Sequence, residues 1–331
     1  MDKIRWGVLS TAKIGRRKVI PAIQRGQHGV VTAIASRDLA RAKAAAAELG
    51  IEKAYGSYQE LLSDRNVDAV YIPLPNHLHV TWSQRSLKAG KHVLCEKPIG
   101  LSVAEAEQLA GAAAARPKLK IMEAFMYRFH PQWQMTRQMV REGRIGQLRT
   151  IHTHFSYYND DPQNIRNQRD MGGGSLMDIG CYAISLSRFI FDAEPQRVLG
   201  HIERDPGTQI DRLTSAVLEF FQGTATFTCA TQLVPFQRVN IYGTSGRIEI
   251  EIPFNAPPDQ AGRLWVQVGT QPGTPIEEIR FEPCDQYALQ TDAFAKAILD
   301  VAPAPSPLAD AVANMRVIER VLSSATKAAW E

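Results

Sequence analysis

The feature that most limits what this chain can become is an exchange of two patterns along its first ~120 residues. Short, nearly continuous apolar runs, "IRWGVLS" (4–10), "VVTAIAS" (30–36), "VDAVYIPLP" (67–75), "KHVLCEKP" (91–98) and "LKIMEAFM" (119–126), alternate with helical spacing near 14–26, 39–48 and 78–89. A strand apolar on both sides of its pleat is covered on both faces, and a helix between two strands returns the chain so that they run parallel. The expected first half is therefore a doubly wound parallel sheet, an α/β architecture. The grammar then changes. "LRTIHTHFSYY" (148–158), "LTSAVLEF" (213–220), "TATFTCATQ" (224–232), "QRVNIYGT" (237–244) and "RIEIEIP" (247–253) alternate in places with period two, and glycine-bearing turns separate several of them. That predicts an α+β domain with a large, mainly antiparallel open sheet having one covered face. A helix-rich tail (285–329) broken by "APAPSPL" closes the chain. The expected boundary divides 1–123 from 124–331, with the C-terminal helix able to return to the first domain.

Composition narrows the classes. A formal net charge of +4 over 331 residues, with no dense basic run, argues against a nucleic-acid partner. Cys95, Cys181, Cys229 and Cys284 are far apart in sequence and read as buried thiols of a reducing compartment, not a disulfide or zinc framework. No apolar run approaches a membrane span, and the N-terminal apolar stretch is too short for a signal peptide, so the expected location is cytoplasmic, with no membrane partner. His77, His79, His130, His152 and His154 lack a third ligand at convincing spacing, so no metal is expected.

The first strand runs into "GVLSTAKIG" (7–15), where a Rossmann-type fold carries its phosphate-binding loop. The glycine fingerprint is degraded: Ser10 and Ala12 stand where the first two glycines would, and only Gly15 remains. Ser10, Thr11, Ala12, Lys13 and Ile14 still offer a small loop and a helix N-terminus to a pyrophosphate. An ordinary strand–helix turn is the alternative. The second strand ends "ASRD", with Ser36 and Arg37 at the positions that contact the ribose. A hydroxyl and a guanidinium suit a 2′-phosphate, favouring NADP(H) with NAD(H) possible; Asp38 either serves the ribose or caps the next helix.

In "RNQRDMGGGSLMDIGCYAISLSRFIF" (166–191), three glycines run into Ser175 and a helical pattern. Leu176, Ile179, Ala183, Leu186 and Ile190 make an apolar stripe, and Asp178 and Tyr182 lie four apart beside it. Ser175-x-x-Asp178 is equally a capping-box pattern, which would make Asp178 structural.

Taken together, "GVLSTAKIG", "ASRD", "PLPNHLH", "CEKPIG", "EAFMYRFHP" and "NIR…GGGSLMDIGCY" resemble the Gfo/Idh/MocA family of oxidoreductases. Within it they are most similar to the branch of NADP-dependent D-xylose dehydrogenases, dimeric dihydrodiol dehydrogenases and sugar ketoreductases. The resemblance implies a dinucleotide-binding first domain and a second domain for substrate binding and oligomerisation, as a homodimer or homotetramer through its sheet. It implies that Lys97 lies near the nicotinamide and the reacting carbon, with Asp178 and Tyr182 completing the catalytic group; many relatives have His where this chain has Tyr182. It places Leu74, Pro75, Asn76, His79, Glu96 and Arg166 with the cofactor, Tyr127 and Arg128 with the substrate, and a cis bond at Lys97–Pro98. The implied reaction is hydride transfer between nicotinamide and a sugar or polyol carbon. The family also contains redox-neutral NAD-dependent glycoside hydrolases and non-enzymatic dinucleotide-binding regulators. A tyrosine with an ordinary pKa of ~10 needs help to act as acid/base near neutrality, and an ammonium beside it would provide that. In this reading Tyr182 moves the proton, Lys97 supports it and Asp178 positions.

Overall fold

In the computed structural model, which describes residues 3–330, the chain divides into two units, one running to Met126 plus Asp285–Met315, the other Tyr127–Cys284 plus the segment from Arg316. The first unit carries β1 (Ile4–Leu9), α1 (Ile20–Arg25), β2 (Gly29–Ala35), α2 (Leu39–Leu49), β3 (Lys53–Tyr55), α3 (Tyr58–Ser63), β4 (Ala69–Ile72), α4 (His79–Lys88), β5 (His92–Cys95), α5 (Val103–Ala114) and β6 (Ile121–Glu123). Its strands lie in the order β3-β2-β1-β4-β5-β6, all parallel. Continuous apolar runs produce this because both faces are covered: every residue of β4 is buried, as are Trp6, Val8 and Leu9 of β1. The strand order reverses between β1 and β4, the switch point outside which such folds take their ligands.

The second unit begins its regular structure with α6 (Pro131–Arg141), β7 (Leu148–Tyr158) and α7 (Cys181–Phe191). β8 (Arg197–Arg204), β9 (Asp211–Phe220), β10 (Gly223–Ala230), β11 (Gln232–Gly243), β12 (Gly246–Ile250), β13 (Gly262–Val268) and β14 (Ile276–Phe281) follow. Together with β7 they form one eight-stranded sheet, β14-β13-β12-β11-β7-β10-β9-β8. It is antiparallel as expected except at its centre, where β7 and β10 pair in parallel. The crossover through α7, β8 and β9 brings the chain back beside β7 in the same direction. One face packs on the α7 segment, where Phe191 stacks on Phe220 at 4.2 Å and a Cβ on Gly180 would meet Cys229 Sγ at 2.9 Å. Thr226 and Thr228 line the opposite, open face.

The tail supplies α8 (Gln286–Leu299) and α9 (Leu308–Lys327). α8 clusters with the first unit: Arg25 pairs with Asp285 at 2.6 Å, the Gln27 and His28 N–H groups both donate to Asp292 at 2.9 Å, and Phe294 lies 5.9 Å from Trp6. Among the described residues no helix is long and apolar enough to cross a membrane.

Candidate active site

At the switch point of the first unit, Ser10 leaves β1 with φ +146°, a conformation in which a side chain is strained and a glycine is usual. Its hydroxyl oxygen accepts the Ala12 N–H at 3.0 Å, and the first helical bond runs from Arg16 to Ala12 O at 3.1 Å. A π-helical turn, Gly15–Val19, leads from this loop into α1. Thr11, Ala12 and Ile14 are half-buried and Lys13 is exposed. At the end of β2, Asp38 caps α2 by accepting the Ala40 and Arg41 N–H groups at 2.9 and 3.2 Å, which settles its role as a cap. Ser36 is buried and its hydroxyl oxygen accepts the Asp38 N–H. Arg37 is exposed and makes no hydrogen bond or ion pair with any described residue. Tyr58, not anticipated from sequence, lies between these groups: burial pushes its pKa up, while the nearby Arg37 charge and a hydrogen bond with Ser10 pull it back. A strained small loop, a helix start and an unpaired guanidinium with no acid in the ribose position fit a 2′-phosphorylated dinucleotide.

The Lys97 loop follows β5, and its Lys97–Pro98 bond is cis. Buried side chains fix the residues on both sides of the lysine. The Tyr71 phenol, on β4, donates to Glu96 Oε1 at 2.6 Å; burial first, then the Glu96 charge, hold its pKa well above the usual phenol value. Glu123 Oε1, on β6, accepts the Ile99 N–H at 2.7 Å. His79, expected to line the cofactor channel, is fully buried, with Nε2 2.7 Å from Leu74 O and Nδ1 2.7 Å from Pro98 O. It ties two loops together. Leu74 is buried, and Pro75 and Asn76 lead into α4.

In the second unit, Asp178 is 14% exposed and its Oδ2 takes two donors, the Tyr157 phenol at 2.6 Å and Arg166 Nε at 3.0 Å. Burial and then the Asp178 charge raise the Tyr157 pKa far above 10; the Asp178 charge likewise raises that of Arg166. Asp178 stands on a π-helical turn, Leu176–Gly180, continuous with α7. The capping-box alternative is overturned here: the Leu176 N–H is capped by Asp211 Oδ2 of β9 at 2.6 Å, which also receives the Ser175 hydroxyl at 2.8 Å and that of Thr214 at 3.1 Å. The stripe Leu176, Ile179, Ala183, Leu186 and Ile190 is buried as expected. Tyr182 is 6% exposed, its ring set among Tyr127, Phe155 and Phe254 at centroid distances of 5.8, 5.9 and 5.3 Å.

Tyr127 and Arg128, expected at the substrate, are both hydrogen-bonded to Ser185 of α7. Tyr127 is fully buried, packed on Trp133 and Phe254, and its hydroxyl shares a 2.8 Å hydrogen bond with Ser185. Arg128 Nη2 donates to the same Ser185 hydroxyl at 2.8 Å and its guanidinium lies 5.2 Å from the Phe189 ring centre. Among the described residues no three His, Cys, Asp or Glu side chains gather as a metal set. His130 is buried and caps α6, its pKa pushed down to about 4 by burial. None of the four cysteines is in a disulfide; three are buried and Cys284 is partly exposed, and burial raises the Cys95 pKa, which disfavours its thiolate.

Tyr157, Asp211, Tyr71 and Glu123 were missed in the sequence. Only Glu123 left a signal there, a single acid inside the apolar run "IMEAF", which a buried strand tolerates only with a partner.

Residues 4–125 match the family described as "Oxidoreductase family, NAD-binding Rossmann fold", and residues 133–249 match the GFO/IDH/MocA C-terminal domain. The chain is 38% identical over 322 residues to a D-xylose 1-dehydrogenase (NADP(+)) of Haloferax volcanii, covering 97% of each chain. The chain belongs to the Gfo/Idh/MocA oxidoreductase family. Among solved structures, a 3-ketoreductase from Actinomadura kijaniata in complex with NADP and TDP-benzene superposes with a TM-score of 0.90 at 32% identity over 98% of both chains. An aldose-aldose oxidoreductase from Caulobacter crescentus complexed with glycerol gives 0.91 at 26% identity over 99% of both. The first match spans the whole parallel sheet, and the second runs from α6 through β11 into β12.

Proposed function

We propose that this enzyme is an NADP(H)-dependent oxidoreductase that interconverts a hydroxyl and a carbonyl on a sugar or polyol. The observation that carries the cofactor half is Arg37: an exposed guanidinium at the end of β2, with Asp38 turned away as a helix cap, suits a 2′-phosphate and leaves no carboxylate for a bare ribose. The relatives named above, one NADP-dependent and one solved with NADP, support the same choice. When bound, the nicotinamide supplies or accepts the hydride.

The rest falls to the chain. Ser10–Ile14 and the Leu74–Asn76 loop hold the dinucleotide at the switch point, Ser36 and Arg37 hold its 2′-phosphate, and Glu96 fixes the ribose side. Lys97, Asp178 and Tyr182 form the catalytic group. Tyr182 gives a proton to the substrate oxygen or takes one from it, and Lys97 supports the phenolate and the developing alkoxide. Asp178, fixed by Tyr157 and Arg166, positions a substrate hydroxyl. Residues 1–123 thus serve the dinucleotide and 124–331 the substrate and self-association. The chain pairs with a second copy through the open sheet face, where Phe236 is 49% exposed.

The test is a panel of aldoses including D-xylose, cyclitols and keto-sugars, assayed with NADP(H) and NAD(H) by absorbance at ~340 nm, where the reduced nicotinamide absorbs. Turnover that prefers NADP(H) is expected. Binding of NADPH without turnover across the panel would point to a regulator. Cleavage of a glycoside with no added cofactor would point to redox-neutral hydrolysis.

A further inference from the structure

His79 is a polar side chain with none of its surface exposed. Its two ring nitrogens nevertheless touch two loops on which the proposed chemistry depends. Nε2 lies 2.7 Å from Leu74 O in the segment leaving β4, beside the switch point. Nδ1 lies 2.7 Å from Pro98 O, the carbonyl next after Lys97. Tyr71 of β4 and Glu123 of β6 also brace the Lys97 loop, through Glu96 and Ile99. The imidazole reaches Leu74 itself, beyond the end of β4. Burial, then the charges of Lys97 and His77, pull the ring's pKa down to about 4 against the two carbonyls; a neutral ring donates to one of these acceptors and abuts the other, since only an imidazolium could donate to both.

We infer that His79 is a positioning residue, a fixed spacer that sets the backbone at Lys97 relative to the Leu74–Asn76 loop. This rests on the reading of Lys97 as a catalytic group. A rigid spacer matters because a reacting group displaced by about 1 Å can lose on the order of 100-fold in rate. Removing the imidazole would take away its contacts on Leu74 and Pro98 and leave the Tyr71–Glu96 and Glu123–Ile99 hydrogen bonds in place.

The experiment compares His79→Leu, His79→Gln and Lys97→Met with the wild type. The readouts are melting temperature, NADPH affinity by fluorescence titration, and kcat and KM for the sugar of the panel that turns over fastest. His79→Leu fills the space without a donor; its kcat should fall ~10- to 100-fold and its NADPH affinity several-fold, with sugar KM nearly unchanged. Glutamine keeps an amide N–H to donate to one of the two carbonyls and should recover much of both losses at a similar melting temperature. The inference is overturned if His79→Leu folds with kcat and NADPH affinity within ~2-fold of wild type, or if the two variants lose activity equally. Should His79→Leu not fold, His79→Gln decides against His79→Asn, whose shorter amide cannot span the two loops and should show the larger loss. Should Lys97→Met retain turnover, the lysine reading fails separately, and His79 is judged on NADPH affinity, which does not require that reading.

Discussion

The phenol of Tyr157 donates to Asp178 Oδ2 at 2.6 Å, on the same oxygen that receives Arg166 Nε at 3.0 Å. Because burial and the Asp178 charge push the Tyr157 pKa far up, this phenol keeps its proton throughout the working range and acts only as a donor. A hydrogen bond to a charged group contributes about 1.5–3 kcal/mol. Tyr157→Phe should therefore lower kcat/KM on the order of 10-fold while the enzyme stays folded. It should leave the shape of the pH–rate profile unchanged, whereas Tyr182→Phe should abolish turnover together with the limb assigned to the acid/base. Steady-state rates of both variants across pH check this. A profile altered by Tyr157→Phe would move the proton-transfer role to Tyr157.

Arg37→Ala addresses the cofactor half. With no hydrogen bond or ion pair to any described residue, Arg37 contributes little to folding, so the melting temperature should not change. Loss of a charge-assisted, bidentate contact to phosphate should raise KM for NADP ~10-fold or more and leave KM for NAD within ~2-fold. Equal effects on both cofactors would remove the 2′-phosphate assignment.

What could be read in the sequence follows from which contacts are local. The parallel half was legible because each buried strand is a continuous apolar run. In the other half most interior strands were legible by alternation, while β8, β13 and β14 were not: β8 and β14 are edge strands with a single buried residue each. Asp38 and Asp178 both carried a capping reading, and only geometry separated them, since Asp38 caps its own helix while Asp211, 35 residues away from Leu176, caps the other. Tyr157 could not be found for the same reason, being 21 residues from Asp178 in a strand whose register the sequence does not fix. Tyr127 stood in the polar context "MYRFH", yet Trp133 and Phe254 bury it, a tertiary effect with no local trace.

Asp205 gives the pH dependence of the β8–β9 connection. Backbone N–H bonds from Thr208, with the Gln232 amide, hold its carboxyl at about 2, below the ordinary ~3.9 of an unfolded chain. A carboxyl depressed on folding stabilises the native state above its unfolded pKa and loses that contribution as pH falls through the folded one. Wild type should lose stability relative to Asp205→Ala as pH drops from ~4 to ~2 and not between ~5 and ~8. Melting curves of both proteins across that range measure the difference; a gap that does not narrow in acid would contradict the assignment.

Gly174 and Asp211 carry the last expectation. Gly174 has φ +115°, and a Cβ built there would lie 1.9 Å from Asp211 Oδ1. The same carboxylate holds the Leu176 N–H and the Ser175 hydroxyl, so it fixes the first turn of the helix on which Asp178 and Tyr182 stand. Alanine at 174 must then either strain the backbone or displace the capping carboxylate. Backbone strain of this kind costs about 1–3 kcal/mol, and loss of an N-cap about 0.5–2 kcal/mol. Gly174→Ala should destabilise by ~2 kcal/mol or more in urea unfolding and lower kcat by moving the helix start. Asp211→Ala should destabilise by loss of the cap and of the Ser175 and Thr214 hydrogen bonds, and open the space that a methyl group needs. In the double variant the alanine at 174 should therefore cost less than it does alone, a coupling of at least ~0.5 kcal/mol. Strict additivity would mean that the glycine answers only to its backbone angle, and that the carboxylate and the glycine act independently on the helix that carries Asp178 and Tyr182.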